Sequence, residues 1–234
     1  KMKNKFYSFL IIVILGCSYA CNTTKYIPEG QQLYTGSDVV LKMDTIRNPE
    51  RIKAFEENLK SLTLPQPNKK AFGVRWKLLF WNIGGGYDTT ENIVRNWFKK
   101  NGQEPVLLRD VNREYNENLL RNRMENLGFF NATVSSDTII KGKYAAVLYT
   151  GIPRSMYRIR SVKFDLDSLN EIGKDIFKMR EESLLKVGSN YNLDVIIKER
   201  ERIDNDLKNK GYYYFNADNL LIEVDSTVGD HKVD

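Results

Sequence analysis

The chain has 234 residues, of which 41% are apolar and 28% are charged. This composition is typical of globular proteins and excludes an intrinsically disordered chain. The net charge is +6, but residues 1–20 contain three lysines and no acidic residue. Without them, 33 basic residues face 30 acidic ones, an excess too small to indicate a nucleic-acid-binding protein.

Residues 1–20 have the pattern of a secretory signal peptide. Three lysines precede an apolar run, residues 6–16, which is shorter than the about 20 residues of a membrane-spanning helix. The two cysteines of the chain, Cys17 and Cys21, close this segment, so no disulfide is expected in the globular part. A cysteine at this point is typical of a lipoprotein signal, in which the thiol is acylated. Ile14-Leu15-Gly16-Cys17 fits the general pattern better than Ser18-Tyr19-Ala20-Cys21, and an ordinary leader with incidental cysteines is the alternative to both.

The first globular elements are predicted from a tether, an alternating segment and a capped helix. Residues 21–34 are short and polar and contain Pro28 and Gly30, as in a tether. Residues 35–46 alternate between apolar and polar, which predicts a half-buried strand. Asn48 is a helix cap, with Pro49 at the first helical position. The apolar face of this helix, ended by two prolines, is Ile52, Phe55, Leu59 and Leu62.

Residues 68–104 fit both a strand and a helix, and periodicity does not decide between them. Gly84-Gly85-Gly86 indicates a loop. It is not a phosphate-binding loop, because no Gly-Lys-Ser/Thr follows. Thr89 or Thr90 is predicted to cap a short helix that carries Ile93, Val94, Trp97 and Phe98.

Residues 119–132 and 202–217 repeat one pattern about 83 residues apart. In each, a helical run stops at Asn-x-Gly, and an aromatic cluster, Asn-Ala and a strand-like tail follow. Glycine adopts the left-handed conformation without steric cost, so Gly128 and Gly211 are predicted to be the structural turns that end the two helices. A repeat of this size favours tandem small domains over one enzyme core.

The segments around each repeat complete two similar units. In the first unit, Asp110 is predicted to cap the helix, and residues 133–140 and 143–150 form a hairpin. The second unit has a strand over residues 157–164, a helix, a longer helix capped by Asn192, and a strand over residues 215–224. The apolar faces are predicted to be Val111, Tyr115, Leu119, Met124 and Leu127 in the first long helix, Leu169, Ile172, Ile176 and Phe177 in the shorter helix, and Leu193, Ile196, Ile197, Ile203 and Leu207 in the second long helix.

The shared order is strand, helix, helix, strand, strand, which predicts an α+β fold with helices on one face of a three-stranded sheet. At least one sheet edge would be open. An open edge can accept an extended peptide through backbone hydrogen bonds, with few demands on its side chains.

Four stretches of the chain resemble the POTRA domains of the BamA/TamA outer-membrane assembly family, and within it the lipidated TamA-like (TamL) branch. They are residues 24–30 directly after a cysteine, Asn82 at the end of a Trp/Leu-rich segment, residues 102–108 before the first repeat, and the two Asn-x-Gly-aromatic turns. Together they span nearly all of residues 21–225. The resemblance favours Cys21 over Cys17 as the lipidated residue.

The resemblance implies tandem POTRA-like β-α-α-β-β modules after a lipoprotein signal peptide. The implied parts are a signal peptide (1–20), a tether (21–34), a first domain (35–152) with an insertion at about 64–104, and a second domain (153–234) that lacks its last strand. Family members carry a C-terminal membrane barrel, which is expected beyond residue 234. The implied function is to recognise nascent outer-membrane proteins, or a periplasm-spanning partner subunit, by edge-strand pairing. The implied location is the outer membrane, lipid-anchored and facing the periplasm.

Catalytic chemistry is sparse in the sequence. His231 is the one histidine, and it lies close to the final residue, whereas a catalytic histidine needs to be held by a fold. No Cys/His group has zinc spacing, and Glu181, Glu182, Glu199 and Glu201 are predicted to be solvated charges. We therefore expect no enzyme, no catalytic, cofactor or metal site and no nucleic-acid partner. The alternatives are a structural adaptor without clients and a lipoprotein with a hydrolase domain beyond residue 234.

Overall fold

A computed structural model describes residues 23–43, 48–90, 92–166 and 170–234. Its helices are α1 (Pro49–Leu62), α2 (Trp76–Ile83), α3 (Ile93–Asn101), α4 (Arg113–Asn126), α5 (Glu171–Lys178) and α6 (Leu193–Asn209). Its strands are β1 (Leu33–Leu41), β2 (Thr133–Lys141), β3 (Tyr144–Ile152), β4 (Arg158–Ile159) and β5 (Lys232–Val233). Helices and small sheets are both present, so the structure has a mixed helix-and-sheet fold.

The larger sheet has three strands in the order β1-β3-β2. Leu33 N donates to Lys143 O and Lys42 N donates to Gly151 O, both at 2.8 Å. These bonds advance in the same direction along both strands, as in a parallel pair. The predicted hairpin of β2 and β3 is confirmed. Residues 33–152 therefore contain the predicted order strand, helix, helix, strand, strand, with α2 and α3 inserted between the two helices.

Side-chain caps fix where several helices begin. Asn48 and Asn192 cap α1 and α6 as predicted: their Oδ1 atoms accept from Arg51 N at 3.2 Å and from Asp194 N at 2.8 Å. Residues 68–104 form two helices, and α3 begins after Asn92. The predicted caps Thr89 and Thr90 are therefore wrong. A side-chain oxygen caps only from the residue directly before the first turn.

Asp110 does not cap α4, and the predicted face of this helix is rotated. The carboxylate of Asp110 accepts from Leu107 N at 2.9 Å inside a preceding 3₁₀ turn. Asn112 takes the capping role and accepts from Tyr115 N at 3.0 Å. Tyr115, predicted to be on the apolar face, is 52% exposed. The residues of α4 that are fully buried are Asn116, Leu120 and Met124.

The predicted second domain, residues 153–234, has less regular strands than expected. The strand expected over residues 157–164 shortens to β4, which pairs in parallel with β5. The strand expected over residues 215–224 is wrong, since residues 217–219 form a 3₁₀ turn and the next residues are irregular. Phe215 and Leu220 do pack against buried side chains. The alternation therefore reports which side chains pack, whereas a strand also needs a backbone partner along its length.

The described residues divide into two compact units that are discontinuous in sequence. One contains Lys60–Glu117, Ser136–Tyr149 and the described residues up to Val40. The other contains Leu41–Leu59, Asn118–Ser135 and Thr150–Asp234. The first has a core of Ile27, Leu33, Leu78, Trp81 and Leu107. The second has two buried clusters, centred on Ile159, Tyr191, Ile196 and Val233 and on Ile176, Met179, Ile203 and Leu207.

Part of the predicted tether belongs to the first core. Ile27 is 8% exposed and packs in the cluster that includes Leu78. The ring of Tyr26 lies edge-on to Trp81, with 5.9 Å between centroids. The prediction treated residues 21–34 as a free linker because they are short and polar. Ile27 is nevertheless apolar enough to be buried, and Tyr26 to be partly buried, once α2 is placed beside them.

Candidate functional site

The two predicted turn glycines follow equivalent helices and have the same backbone geometry. Gly128 has φ +90° after α4, and Gly211 has φ +99° after α6. Phe129 N donates to Met124 O, and Tyr212 N donates to Leu207 O, both at 3.0 Å. Each is the six-to-one bond of a Schellman motif, which satisfies a carbonyl at the end of a helix.

A buried polar residue stands 12 positions before each turn glycine. Asn116 on α4 is fully buried and Glu199 on α6 is 1% exposed. Asn116 Oδ1 accepts from Leu64 N, and Glu199 Oε2 accepts from Leu184 N, both at 2.9 Å. Each side chain thus fixes the backbone of a segment that precedes its helix. We call this pair the backbone clamps.

Glu199 was predicted to be a solvated charge, and that prediction is wrong. Surrounding lysines and arginines made the segment look like a charged helix surface. The signal that would have found the clamps is their common spacing from Gly128 and Gly211. Leu120 and Ile203, eight residues before the two glycines, are buried in the same way.

The clamps differ in chemistry. The amide of Asn116 is neutral, and its Nδ2 donates to Leu64 O at 2.6 Å and to Tyr149 Oη at 2.9 Å. The carboxylate of Glu199 accepts from Arg202, through Nε at 3.0 Å and Nη2 at 2.8 Å. Burial raises the pKa of Glu199, but hydrogen bonds from Arg202, Leu184 N and Ser183 outweigh burial and hold that pKa below its ordinary value. Glu199 therefore stays ionised at neutral pH, unlike a general acid, whose pKa has to be raised.

A second buried asparagine secures the other end of the inserted segment. Asn68 is 2% exposed. Its Nδ2 donates to Glu104 O at 2.7 Å, and its Oδ1 accepts from Val106 N at 2.9 Å. Since Asn116 binds Leu64, both ends of residues 64–104 are attached by buried amides. We call residues 64–104 the helical insert.

Strand β2 lies at an edge of the sheet, and this edge is the first candidate interaction site. Gly142 and Lys143 form a two-residue loop, so Lys141 and Tyr144 flank it as a hydrogen-bonded pair. Alternation along β2 then directs the N–H groups of Thr138 and Ile140 away from β3. Among the described residues, no backbone group outside the sheet bonds to residues 136–141.

The opposite edge of the sheet is partly covered. Tyr34 N donates to Val106 O at 2.8 Å, and Leu108 N donates to Gln32 O at 3.0 Å. Near the other end of β1, Leu41 N donates to Glu56 Oε1 at 2.8 Å. Because these groups already occupy outward backbone positions of β1, β2 offers the more open edge.

An apolar groove of about 430 Å³ lies within the compact unit that contains Leu41–Leu59, Asn118–Ser135 and Thr150–Asp234. Its lining includes Phe55, Phe129, Met156 and Tyr191 and the polar residues at positions 189, 190 and 192. No Asp, Glu, His, Lys or Arg is among the described lining residues, and burial raises the pKa of the Tyr191 phenol. The groove can hold apolar groups but offers no acid–base pair at neutral pH.

The remaining predicted site residues are placed as follows. The lipidation candidates Cys21 and Cys17 lie outside the described residues. His231 is exposed, and its ring packs edge-on against Tyr157 with 5.4 Å between centroids. Within the described ranges, no cluster of three or more His, Cys, Asp or Glu residues is arranged to hold a metal ion. In the same ranges, every helix is too short or too polar to cross a membrane.

The chain is similar to the crystal structure of Haemophilus influenzae BamA POTRA3–5, at 14% sequence identity and a TM-score of 0.32. The match covers 89% of this chain and 97% of that chain. No protein-family model and no curated protein matches the chain.

Proposed function

We propose that this chain is the periplasmic, POTRA-type part of an outer-membrane lipoprotein related to the BamA/TamA family. In this function it binds nascent outer-membrane proteins, or a partner subunit that spans the periplasm, and assists their assembly. Binding occurs by addition of an extended strand to β2. The observation that carries the proposal is the edge of β2, whose outward backbone groups have no partner among the described residues.

The surroundings of β2 suit this mode of recognition. On the face toward α4, Ser136 Oγ donates to Glu117 Oε1 at 2.5 Å, which holds the strand against the helix. At the edge, backbone donors and acceptors are common to all peptides, so an added strand needs few specific side chains. Clients that share strand conformation but no sequence can therefore use one site.

The chemistry of the described residues favours a binding protein over an enzyme. The buried carboxylate of Glu199 is neutralised by Arg202, and the apolar groove contains no acid–base pair. We extend the proposal to lipid attachment at Cys21, with Cys17 as the alternative, and to a periplasm-facing location at the outer membrane. Globomycin sensitivity and mass spectrometry of the N-terminal peptide test the attachment and its site.

Site-specific crosslinking tests the function. A photo-crosslinking amino acid at Ile139, which is 44% exposed on β2, should capture nascent outer-membrane proteins in cells. Thr138→Pro removes an outward N–H, and proline is tolerated on edge strands, so this variant should lose the crosslinks. Thr138→Val keeps the N–H and is the matched control that should retain them.

The pattern of products separates the possible partners. Many products of different mass indicate clients, and one product of constant mass indicates a fixed partner subunit. Equal crosslinking by the proline and valine variants, with both folded by circular dichroism, would show that pairing with β2 is not the mechanism.

A further inference from the structure

The helical insert exposes an unusual amount of apolar surface. On α3, Ile93, Val94 and Trp97 are 90%, 63% and 57% exposed, and no residue of this helix is buried. On α2, Trp76 and Ile83 are 46% and 44% exposed. Single exposed apolar residues are ordinary, but a contiguous group marks an interaction surface.

These residues form one surface because aromatic contacts join the two helices. Phe80, between Trp76 and Ile83 on α2, lies 6.4 Å from the ring of Trp97 and 5.6 Å from that of Phe98. Trp97 follows Ile93 by four residues and Val94 by three, so both lie on the side of α3 that carries Trp97. We call Trp76, Ile83, Ile93, Val94 and Trp97 the insert face.

The opposite side of the insert is well packed, so the exposure does not come from a loose segment. Leu78 is fully buried and Trp81 is 5% exposed in the first core. A methyl group at Gly102 would lie 2.6 Å from Trp81 N, which shows how closely the chain packs there. The insert therefore has a buried side, formed by α2, and an apolar side that faces outward.

The insert also carries the positive charge of the chain. Residues 64–104 contain seven basic and three acidic residues. Residues 21–234 as a whole have an excess of only three basic residues, so the rest of this region is slightly acidic. The exposed lysines of the insert are Lys69, Lys70, Lys77 and Lys100.

We propose that the insert face is an interfacial membrane-binding surface that docks onto a lipid leaflet containing anionic headgroups. Aliphatic and tryptophan side chains enter the headgroup–acyl boundary, and the surrounding lysines bind lipid phosphates. Tryptophan is enriched at this boundary because its ring is apolar and its N–H is polar. A lipid leaflet matches a broad apolar surface on a basic segment with exposed lysines, whereas a protein partner would have to supply a dedicated acidic and apolar surface.

The position of the insert in the chain supports a lipid occupant. Tyr26 packs on Trp81 and follows Cys21 by five residues, which span at most about 18 Å when fully extended. This step rests on the proposed acylation at Cys21, which would bring the insert close to the membrane. The exposure and charge of the insert face do not depend on acylation.

The intrinsic fluorescence of the tryptophans can test this proposal. All three, Trp76, Trp81 and Trp97, lie in the insert, so intrinsic fluorescence reports on it alone. The full chain is reconstituted in phosphatidylcholine vesicles with or without phosphatidylglycerol, with bromine-labelled acyl chains as quenchers. Residues 1–34 are encoded identically in every variant, so processing and anchoring are the same and quenching reports only the depth of the insert. We expect strong quenching in vesicles that contain phosphatidylglycerol, reduced by Trp97→Phe.

Matched substitutions test the two parts of the surface. Ile93→Ser with Val94→Ser should abolish quenching, whereas Leu221→Ser, at an apolar residue that is 84% exposed elsewhere, should leave it unchanged. Each lysine near an anionic surface changes the docking equilibrium about fivefold. Lys77→Glu with Lys100→Glu should therefore release the insert, and Lys53→Glu with Lys198→Glu is the control of equal charge.

Two results would overturn the proposal. One is absence of quenching in both kinds of vesicle; capture of a protein in cells by a crosslinker at position 97 would then identify a protein partner instead. The other is quenching that is equal in pure phosphatidylcholine and insensitive to the lysine substitutions. Neither result bears on crosslinking from β2, so the failure of this inference and that of the proposed function are distinguishable.

Discussion

The helix that ends at Gly128 and the helix that ends at Gly211 share backbone geometry but differ in chemistry. Both have a polar clamp 12 residues before the glycine and the same six-to-one hydrogen bond after it. The first clamp is the amide of Asn116, and the second is the carboxylate of Glu199 with Arg202. The repeat therefore specifies where a loop is fixed to a helix and leaves the chemistry of the attachment free.

The surroundings of the two turns differ as well. A methyl group at Gly128 would lie 2.9 Å from Tyr191 O, whereas nothing lies within 4 Å of one at Gly211. After Gly128 the chain enters β2, and after Gly211 it enters an irregular segment. A tightly packed turn therefore precedes strand β2, and an open turn precedes the irregular segment after Gly211.

The largest expected effect comes from the ionic clamp. Glu199→Ala leaves Arg202, Leu184 N and the space of the carboxylate uncompensated, so it should lower the free energy of unfolding by about 3–5 kcal/mol. Asn116→Ala leaves neutral groups unpaired and should lower it by about 1–3 kcal/mol. Urea unfolding followed by circular dichroism measures both. Equal losses would show that the two clamps are energetically alike despite their different charge.

Substitution of the turn glycines should have the next largest effect. Gly128→Ala should lower the free energy of unfolding by about 1–2 kcal/mol, because a non-glycine residue would be in the left-handed conformation. Crowding against Tyr191 should lower it by about 1–3 kcal/mol more. Gly211→Ala has only the first of these costs. Thermal unfolding of the two variants in parallel measures the difference. A loss at Gly211 as large as that at Gly128 would contradict the contrast between packed and open turns.

Loss of an attachment of the helical insert, which lies between α1 and α4, should have a smaller effect. Asn68→Ala removes the bonds to Glu104 O and Val106 N and should lower stability by about 1–3 kcal/mol. Because the freed backbone lies at the end of the insert, limited proteolysis should cut near residues 104–106 faster than in the wild type. Asn101→Ala, at an exposed position on α3, is the control. An unchanged cleavage pattern would argue against the anchoring role of Asn68.

The smallest effect concerns pH and also separates the two clamps. The pKa of Glu199 is lower in the folded protein than its ordinary 4.5. Its contribution to stability is therefore fully present above that ordinary value and is lost as the pH falls through the lowered pKa. Glu199→Gln should flatten the loss of stability in acid, whereas Asn116→Ala should not, since an amide does not titrate. Urea unfolding between pH 3 and pH 7, as a set of about five points, measures this difference.

Local sequence signals predicted two helix caps and one hairpin. Asn48 and Asn192 were predictable as caps because a cap depends only on residues one turn away. The β2–β3 hairpin was predictable from its alternation and short loop. The helical state of α2 was not, since its apolar residues fit both periods and burial of Leu78 against Ile27 decides between them.

The features that the sequence did not predict depend on residues that are distant in the chain. Glu199 looks like a surface residue until Leu184 N, Ser183 and Arg202 are placed around it. Residues 215–224 alternate like a strand, but Asp225 and Asp234 are where backbone pairing begins, with two bonds of 3.0 Å. The sequence predicted that at least one sheet edge is open, but not that this edge is β2. The order of the strands in the sheet determines which strand lies at the edge. Sequence alone does not give strand order.

The free edge of β2 has a consequence for the protein at high concentration. A strand edge that accepts any extended backbone also accepts another copy of itself. Ile139 and Ile140 are exposed on β2, and the strand contains no proline to oppose such pairing. The charged residues of β2, Asp137 and Lys141, have opposite signs and give two copies no net repulsion. Self-association and client binding would therefore compete for the edge of β2. The local concentration of the protein would determine what fraction of these edges can bind clients.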